Sequence, residues 1–511
     1  MHLPTPERLH HANDTDDIHD ASSNAMTPLT QTNPHFFTGN YAPLTEEHDL
    51  AALDIEGTLP PGLSGSLYRV GPSPQYAPRD DHYHWFSGDG MVHAFHIDAG
   101  KVSYRNRWAR TPKWQLEHEA GRALFGTFGN PATSDPLAQG RNGGTANTSM
   151  LWHGERLFAL EESHQPFELD AHTLASRGHQ SFGDRIDSRC TAHPKQDPES
   201  GELHFFAYSP DGPCSPTMLY GVMDRHCKVT QRRTFTAPYA SMAHDFMLTR
   251  GHVLFPVTPL TLSMERAMRG KPLLAWDASL RTHVGVMQRD SNANAAPVLR
   301  WFDTDACHVF HVMNAWDEGD TIVAHVMQSD TAPGLPDAEG RPGEPAAMAA
   351  RLCRWTFDMG SADNTFRREY LDDLAAEFPR IDERYTGRRN RYGFYTCHAT
   401  PRLRDDSESV LYDSLARFDF DTGERTLHTL PEGDVVSEPV FVPRTPDAAE
   451  GDGWLLAVAW RAGQQRSDLL VFDATDLAAG ALAVARLPHR VPFGFHGTWR
   501  PNVRANVQQR R

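Results

Sequence analysis

From Asn33 to Trp499, apolar residues come in runs of strand length, broken by Gly, Pro, Asp and Asn. Such runs bounded by turn residues predict short β-strands. Several pair as hairpins around a glycine-containing loop. Gly90 to Ile97 turns at Asp98-Ala99-Gly100 into Lys101 to Tyr104, and Thr148 to Trp152 turns at His153-Gly154-Glu155 into Arg156 to Leu160. Phe310 to Ala315 returns through Asp317 to Asp320 as Thr321 to Ala324, and Val440 to Val442 returns through a longer loop as Trp454 to Val458. Many small antiparallel units with few long helices predict radial repetition, an all-β propeller. The repeat is too irregular to number the blades. A helical stripe is predicted over Leu260 to Arg269, where Leu260, Met264, Ala267 and Met268 share a face to bury. Residues 329 to 347, rich in Pro, Gly, Asp and Glu, predict an exposed loop. Residues 1–33 offer little to bury and predict a disordered leader, and no linker divides 34–511, which predicts a single domain.

Composition narrows the function. The chain has 511 residues, 39% hydrophobic and 23% charged, enough for a large core, and a net charge of −17. That charge argues against nucleic acid, whose binding is driven by Lys and Arg neutralising phosphates, and against electrostatic attachment to anionic lipid. The six cysteines are widely spaced with no C-x-x-C pair, which speaks against a zinc ribbon or disulfide framework and fits a cytoplasmic protein. No apolar run is long enough to span a membrane, and the N-terminus lacks the apolar stretch of a secretory signal. No G-x-S-x-G, Walker or dinucleotide fingerprint stands out.

Four segments carry the candidate chemistry: Thr191-Ala192-His193-Pro194, Ala243-His244-Asp245-Phe246, Phe310-His311 through Asn314-Ala315-Trp316, and Phe495-His496-Gly497-Thr498-Trp499. Acidic segments lie around Glu162, Glu377 and Glu438. His193, His244, His311 and Glu438 stand at or near the start of a hairpin, and in a propeller equivalent places on different blades converge on the axis. The chain holds 28 histidines, so a lone one such as His35, His153 or His252 reads as surface or structural. His82 with His84, and His93 with His96, have metal-like spacing, but no neighbouring motif gives either pair a ligand role. His308 and His311 are three apart and face opposite sides of a strand, as do the adjacent Glu161 and Glu162.

Taken together these segments resemble the carotenoid cleavage oxygenases, a superfamily that includes lignostilbene- and isoeugenol-type alkene cleavers. The resemblance runs through Gly39-Asn40-Tyr41-Ala42-Pro43, Gly57 to Arg69, Phe86-Ser87-Gly88-Asp89-Gly90-Met91-Val92-His93, Glu377-Phe378-Pro379-Arg380 and Ser437 to Arg444. It implies a seven-bladed propeller with a cap of helices and loops over an axial Fe(II). It further implies His193, His244, His311 and His496 as ligands, selecting His311 over His308 and His496 over His489. Glu162, Glu377 and Glu438 are implied as carboxylates behind three of the imidazoles, with His193 lacking one. Four neutral imidazoles leave two octahedral positions open, and the carboxylates fix tautomers and make the rings better donors. Ligand type alone does not select the metal. The implied reaction inserts both oxygens of O₂ across one carbon–carbon double bond, giving two carbonyl products, with no obligatory side-chain nucleophile.

Within the superfamily the C-terminal half most resembles the bacterial stilbene and phenylpropene cleavers, through Arg444 to Ala448, Glu450 to Gly453 and Arg466-Ser467-Asp468-Leu469. Those enzymes hold a phenolic oxygen with Tyr and Lys, where this chain has Phe128 and Glu161. Phe offers no donor and Glu repels an anion, so the departure points to a carotenoid, an apocarotenoid or another non-phenolic alkene. The alternatives are an aryl alkene cleaved by the same chemistry, or a non-oxidative isomerase or binding propeller. The expected partners are a small hydrophobic alkene and O₂; peripheral contact with a membrane stays open.

Overall fold

The computed structural model describes residues 34–79, 83–126, 128, 131–187, 189–289, 297–399 and 411–502. Among the described residues, seven antiparallel sheets of four or more strands form the blades. Blade one contains Gly65–Pro72, Gly90–Asp98 and Lys101–Trp108, and blade two runs from Ser149–His153 to Ser176–His179. Blade three spans Lys195–Gln196 to Val229–Thr236, and blade four Met247–Leu248 to Leu299–Thr304. Blade five spans His308–Glu318 to Arg367–Tyr370, blade six Ala376–Arg380 to Glu424–Thr429, and blade seven Val435–Val436 to Ala481–Arg486. The ring closes twice. Asp54–Gly57 from the N-terminal side adds an outer strand to blade seven, and Gly497–Pro501 from the C-terminal side adds an inner strand to blade one.

The closed ring follows from strands that are apolar on both faces. Successive side chains point to opposite sides of a sheet, so neighbours in sequence serve different interfaces. Leu67 packs between blades one and seven, while Tyr68 packs between one and two. Phe205 faces blade two and Phe206 faces blade four. Phe394 and Tyr395 divide likewise between blades seven and five. Each pair of adjacent blades thus shares one buried cluster, and each fully buried Leu or Phe contributes about 1.5–3 kcal/mol.

The sequence hairpins hold, including Gly90–Asp98 with Lys101–Trp108 and His308–Glu318 with Thr321–Ser329. Two expectations fail. Leu260–Leu262 is a strand paired with Leu274–Trp276. The helix is only Met264–Met268, because the Ser263 side chain caps its start, accepting from the Arg266 N–H, and Gly270 follows with a positive φ. Leu260 is buried in the strand, but Met264 and Met268 are exposed, so no buried helical stripe exists. The segment 329–347 is not simply exposed: Ala332 and Leu335 fold into the cluster between blades three and four, and Pro345–Met348 is helical. The leader 1–33 and His82 lie outside the described residues.

Candidate metal centre

Each blade sends one residue to the axis. His496 immediately precedes the inner strand of blade one, Glu162 follows the second strand of blade two, and His193 and His244 precede the first strands of blades three and four. His311 lies in the first strand of blade five, Glu377 in that of blade six, and Glu438 between Val435–Val436 and Val440–Pro443 of blade seven. Local irregularities aim them. The pairing of His308–Glu318 slips between Val309 and Val312, freeing His311 from the ladder. A second slip lies between Glu377 and Arg380, where Phe378 takes a left-handed φ of 56°. Such a conformation costs a non-glycine residue about 1–3 kcal/mol and persists where the surroundings impose it. Gly497 follows His496 because a Cβ there would meet the Tyr68 carbonyl at 2.7 Å.

The four imidazoles converge, with one ring nitrogen from each within 4.8 Å of the others. Nδ1 of His244 bonds Glu162, Nδ1 of His311 bonds Glu377 at 2.5 Å, and Nδ1 of His496 bonds Glu438 at 2.8 Å. Among the described residues, His193 has no carboxylate in its ring contacts. A carboxylate only accepts, so each of these Nδ1 atoms carries its proton; this tautomer is assigned from the bonding network. With both rings neutral, the Nε2 lone pairs of His244 and His311 face one another at 3.2 Å, and His193 Nε2 lies 2.9 Å from His244 Nε2. Lone pairs so close repel unless a cation lies among them. Two donors at right angles about 2.1 Å from one ion stand about 3.0 Å apart, against about 3.4 Å in a tetrahedron. The donor set thus fits a divalent metal with further positions open.

Electrostatics favours the same arrangement. Burial and the other three imidazoles push His193 well below the usual histidine range. Burial also pushes His496 down to about 4, against the opposing pull of Glu438. For His311 burial acts the same way, but Glu377 outweighs it and raises the ring, so a proton and a metal compete for its Nε2. Glu438 is held at about 2: burial opposes ionisation, and Arg380 and His496 overcome it.

Sequence reasoning overlooked several supporting groups. The Tyr208 hydroxyl donates to Glu162 at 2.7 Å, the Gly497 N–H donates to Glu438 at 2.8 Å, and Arg380 lies 3.3 Å from Glu438. Asp245 sits beside His244 and is buried. Arg380 and Asp245 stood inside the motifs quoted for their neighbours, which was the available signal.

A cavity of about 470 Å³ lies on the axis, lined by residues including Trp152, Lys195, Asp245, Arg380 and Trp499, and it reaches His193, His311 and His496. Separately, buried aromatic residues gather around Trp85, Phe378, Phe493 and Phe495. The Phe378 ring centre lies 5.7 Å from that of His311 and 5.4 Å from that of His496.

The two residues expected to disfavour a phenolate are placed differently from that reasoning. Glu161 is no bare anion: it pairs with His164 at 2.5 Å and accepts from the Thr145 hydroxyl at 2.6 Å. Phe128 is 37% exposed, with its ring beside His84 and Phe86. His93 bonds Tyr104 and His96 bonds Ser66, so that pair does not share a site, and His308 bonds Thr258.

Comparison with known proteins agrees with this architecture. The family model for retinal pigment epithelial membrane protein matches residues 41–501. The chain belongs to the carotenoid cleavage oxygenase family. Isoeugenol monooxygenase of Pseudomonas nitroreducens is 37% identical over 481 residues, covering 93% of this chain and 100% of that protein. The crystal structure of lignostilbene dioxygenase from Pseudomonas brassicacearum superposes with a TM-score of 0.88 at 34% identity, covering 92% of this chain and 99% of the other. That of cobalt-substituted Synechocystis ACO superposes with a TM-score of 0.79 at 28% identity, covering 90% and 97%. These relatives are named oxygenases, and the chain is likewise an oxidoreductase that incorporates dioxygen.

Proposed function

We propose that His193, His244, His311 and His496 hold one Fe(II), and that the chain uses it to cleave the double bond of an aryl alkene of the stilbene or phenylpropene type. The iron, when bound, supplies the activation of dioxygen. Glu162, Glu377 and Glu438 hold the Nδ1 protons and so keep each Nε2 lone pair on the metal side. The aromatic cluster around Phe378 and Phe495 excludes water and offers ring faces against which an aryl group stacks.

The observation that carries the aryl assignment is the full-length similarity to isoeugenol monooxygenase, joined by the likeness to a lignostilbene dioxygenase. The expectation of a carotenoid rested on Phe128 offering no donor and Glu161 repelling a phenolate. His164 and Thr145 already occupy the Glu161 carboxylate, which weakens its repulsion of an anion.

The test is anaerobic loading with Fe(II), followed by O₂-uptake measurements with isoeugenol, stilbenes, apocarotenals and carotenoids. Uptake with the aryl alkenes and two carbonyl products, both labelled from ¹⁸O₂, is expected. Turnover of polyenes alone, or isomerised product without oxygen uptake, would contradict the proposal.

A further inference from the structure

Asp245 belongs to the Ala243-His244-Asp245-Phe246 motif, yet its carboxylate plays no part in the ring contacts described above. Its side chain is 2% exposed and faces three neighbouring blades at once. One oxygen accepts the Val312 N–H at 2.8 Å, the residue directly after His311. The other accepts the N–H of the next residue, Phe246, at 2.7 Å and lies 2.8 Å from the Lys195 ammonium, two residues after His193. A single buried charge therefore joins the strand starts that carry His193, His244 and His311. Removing a buried partner of this kind leaves the remaining N–H and ammonium groups unpaired.

We propose that Asp245 is a positioning residue for the metal centre, fixing three of its four imidazoles relative to one another through the backbone and Lys195. It supplies the chain carrying His193 with the restraint that the three glutamates supply to the other imidazoles through their rings. This inference rests on the reading of the four histidines as a metal site. The carboxylate acts on ligand geometry, through the Val312 and Phe246 N–H groups and Lys195.

The test uses the full chain loaded with Co(II), comparing wild type with Asp245→Asn, Asp245→Ala and Lys195→Met. The readouts are the half-time of cobalt loss to a chelator, the Co(II) electron paramagnetic resonance spectrum, and the melting temperature of the metal-free protein. Asp245→Ala is expected to lose cobalt about 10- to 100-fold faster, the range seen when a support of a metal ligand is removed, with an altered spectrum. Asp245→Asn keeps an oxygen for the Val312 N–H and loses the charge facing Lys195. It is expected to fall between Asp245→Ala and wild type, close to Lys195→Met. Should Asp245→Ala fail to fold, the other two variants decide. Wild-type cobalt loss and an unchanged spectrum in the Asp245 variants, even with a lowered melting temperature, would reduce Asp245 to a fold-stabilising role and overturn the proposal. A wild-type protein that holds no cobalt would instead overturn the metal site itself.

Discussion

Glu162, Glu377 and Glu438 each grip one imidazole by its Nδ1 proton; replacing any of them with Gln keeps an amide oxygen that can accept but removes the charge that makes the ring a better donor. Each such variant is expected to bind Fe(II) about 10- to 100-fold more weakly, read by metal titration against a chelator. Glu438→Gln carries an extra penalty, because it leaves Arg380 without one of its two carboxylates. Retention of wild-type affinity by all three variants would contradict the roles assigned to them. The four histidines and three glutamates were legible from sequence only through their family motifs, since nothing in a lone Glu before Phe-Pro sets it apart from a surface carboxylate. Asp245 and Tyr208 were not legible, because their partners are a backbone N–H, a Lys and a Glu on other blades. Glu161 shows the opposite failure: its charge was read correctly and its neutralising neighbour His164 was not foreseen.

At the scale of elements, the helix Pro112–Ala120 is tied to blade one through Lys113, whose ammonium lies 2.7 Å from Asp89 and 2.6 Å from Glu117. All three side chains are buried, and Glu117 also accepts the Leu124 and Phe125 N–H groups. Lys113→Met strands two buried carboxylates and is expected to cost about 3–5 kcal/mol in chemical denaturation. The pair also has a pH signature. Burial works to lower the Lys113 pKa, but Asp89 and Glu117 outweigh it and raise it above the ordinary 10.5. Its contribution is therefore full below pH 10.5 and lost as pH rises beyond that. Wild type is expected to show an alkaline fall in melting temperature that Lys113→Met lacks. Ring closure makes a second prediction: a Cβ on Gly65 would meet the Trp499 ring at 2.3 Å and the Arg500 carbonyl at 2.5 Å. Gly65→Ala should thus destabilise by about 1–3 kcal/mol or more, through strain where the C-terminal strand joins blade one. Hairpins were legible because turn residues bound each strand. The short helix at Met264–Met268 was misjudged because Leu260 belongs to a strand whose partner, Leu274–Trp276, lies beyond the helix.

For the whole molecule, short apolar runs separated by turn residues foretold a propeller, while the number of blades came only from the family likeness. Loops of unequal length, such as the excursion between the second and third strands of blade four, hide the period. Ring closure by Asp54–Gly57 and Gly497–Pro501 likewise joins segments from opposite ends of the chain. Because the ion would tie together histidines from four blades, metal loading should stabilise the entire ring. Saturating Fe(II) or Co(II) at about 1,000 times its dissociation constant adds about 4 kcal/mol. A melting temperature raised by metal in wild type and unmoved in His311→Ala is the expected outcome.

Anomalous scattering at the iron edge, from crystals of the Fe(II)-loaded protein, tests the centre most directly. The account predicts one strong peak on the propeller axis, about 2.1 Å from the Nε2 atoms of His193, His244, His311 and His496. An iron peak elsewhere, or none at that point in a protein that still cleaves alkenes, would contradict it.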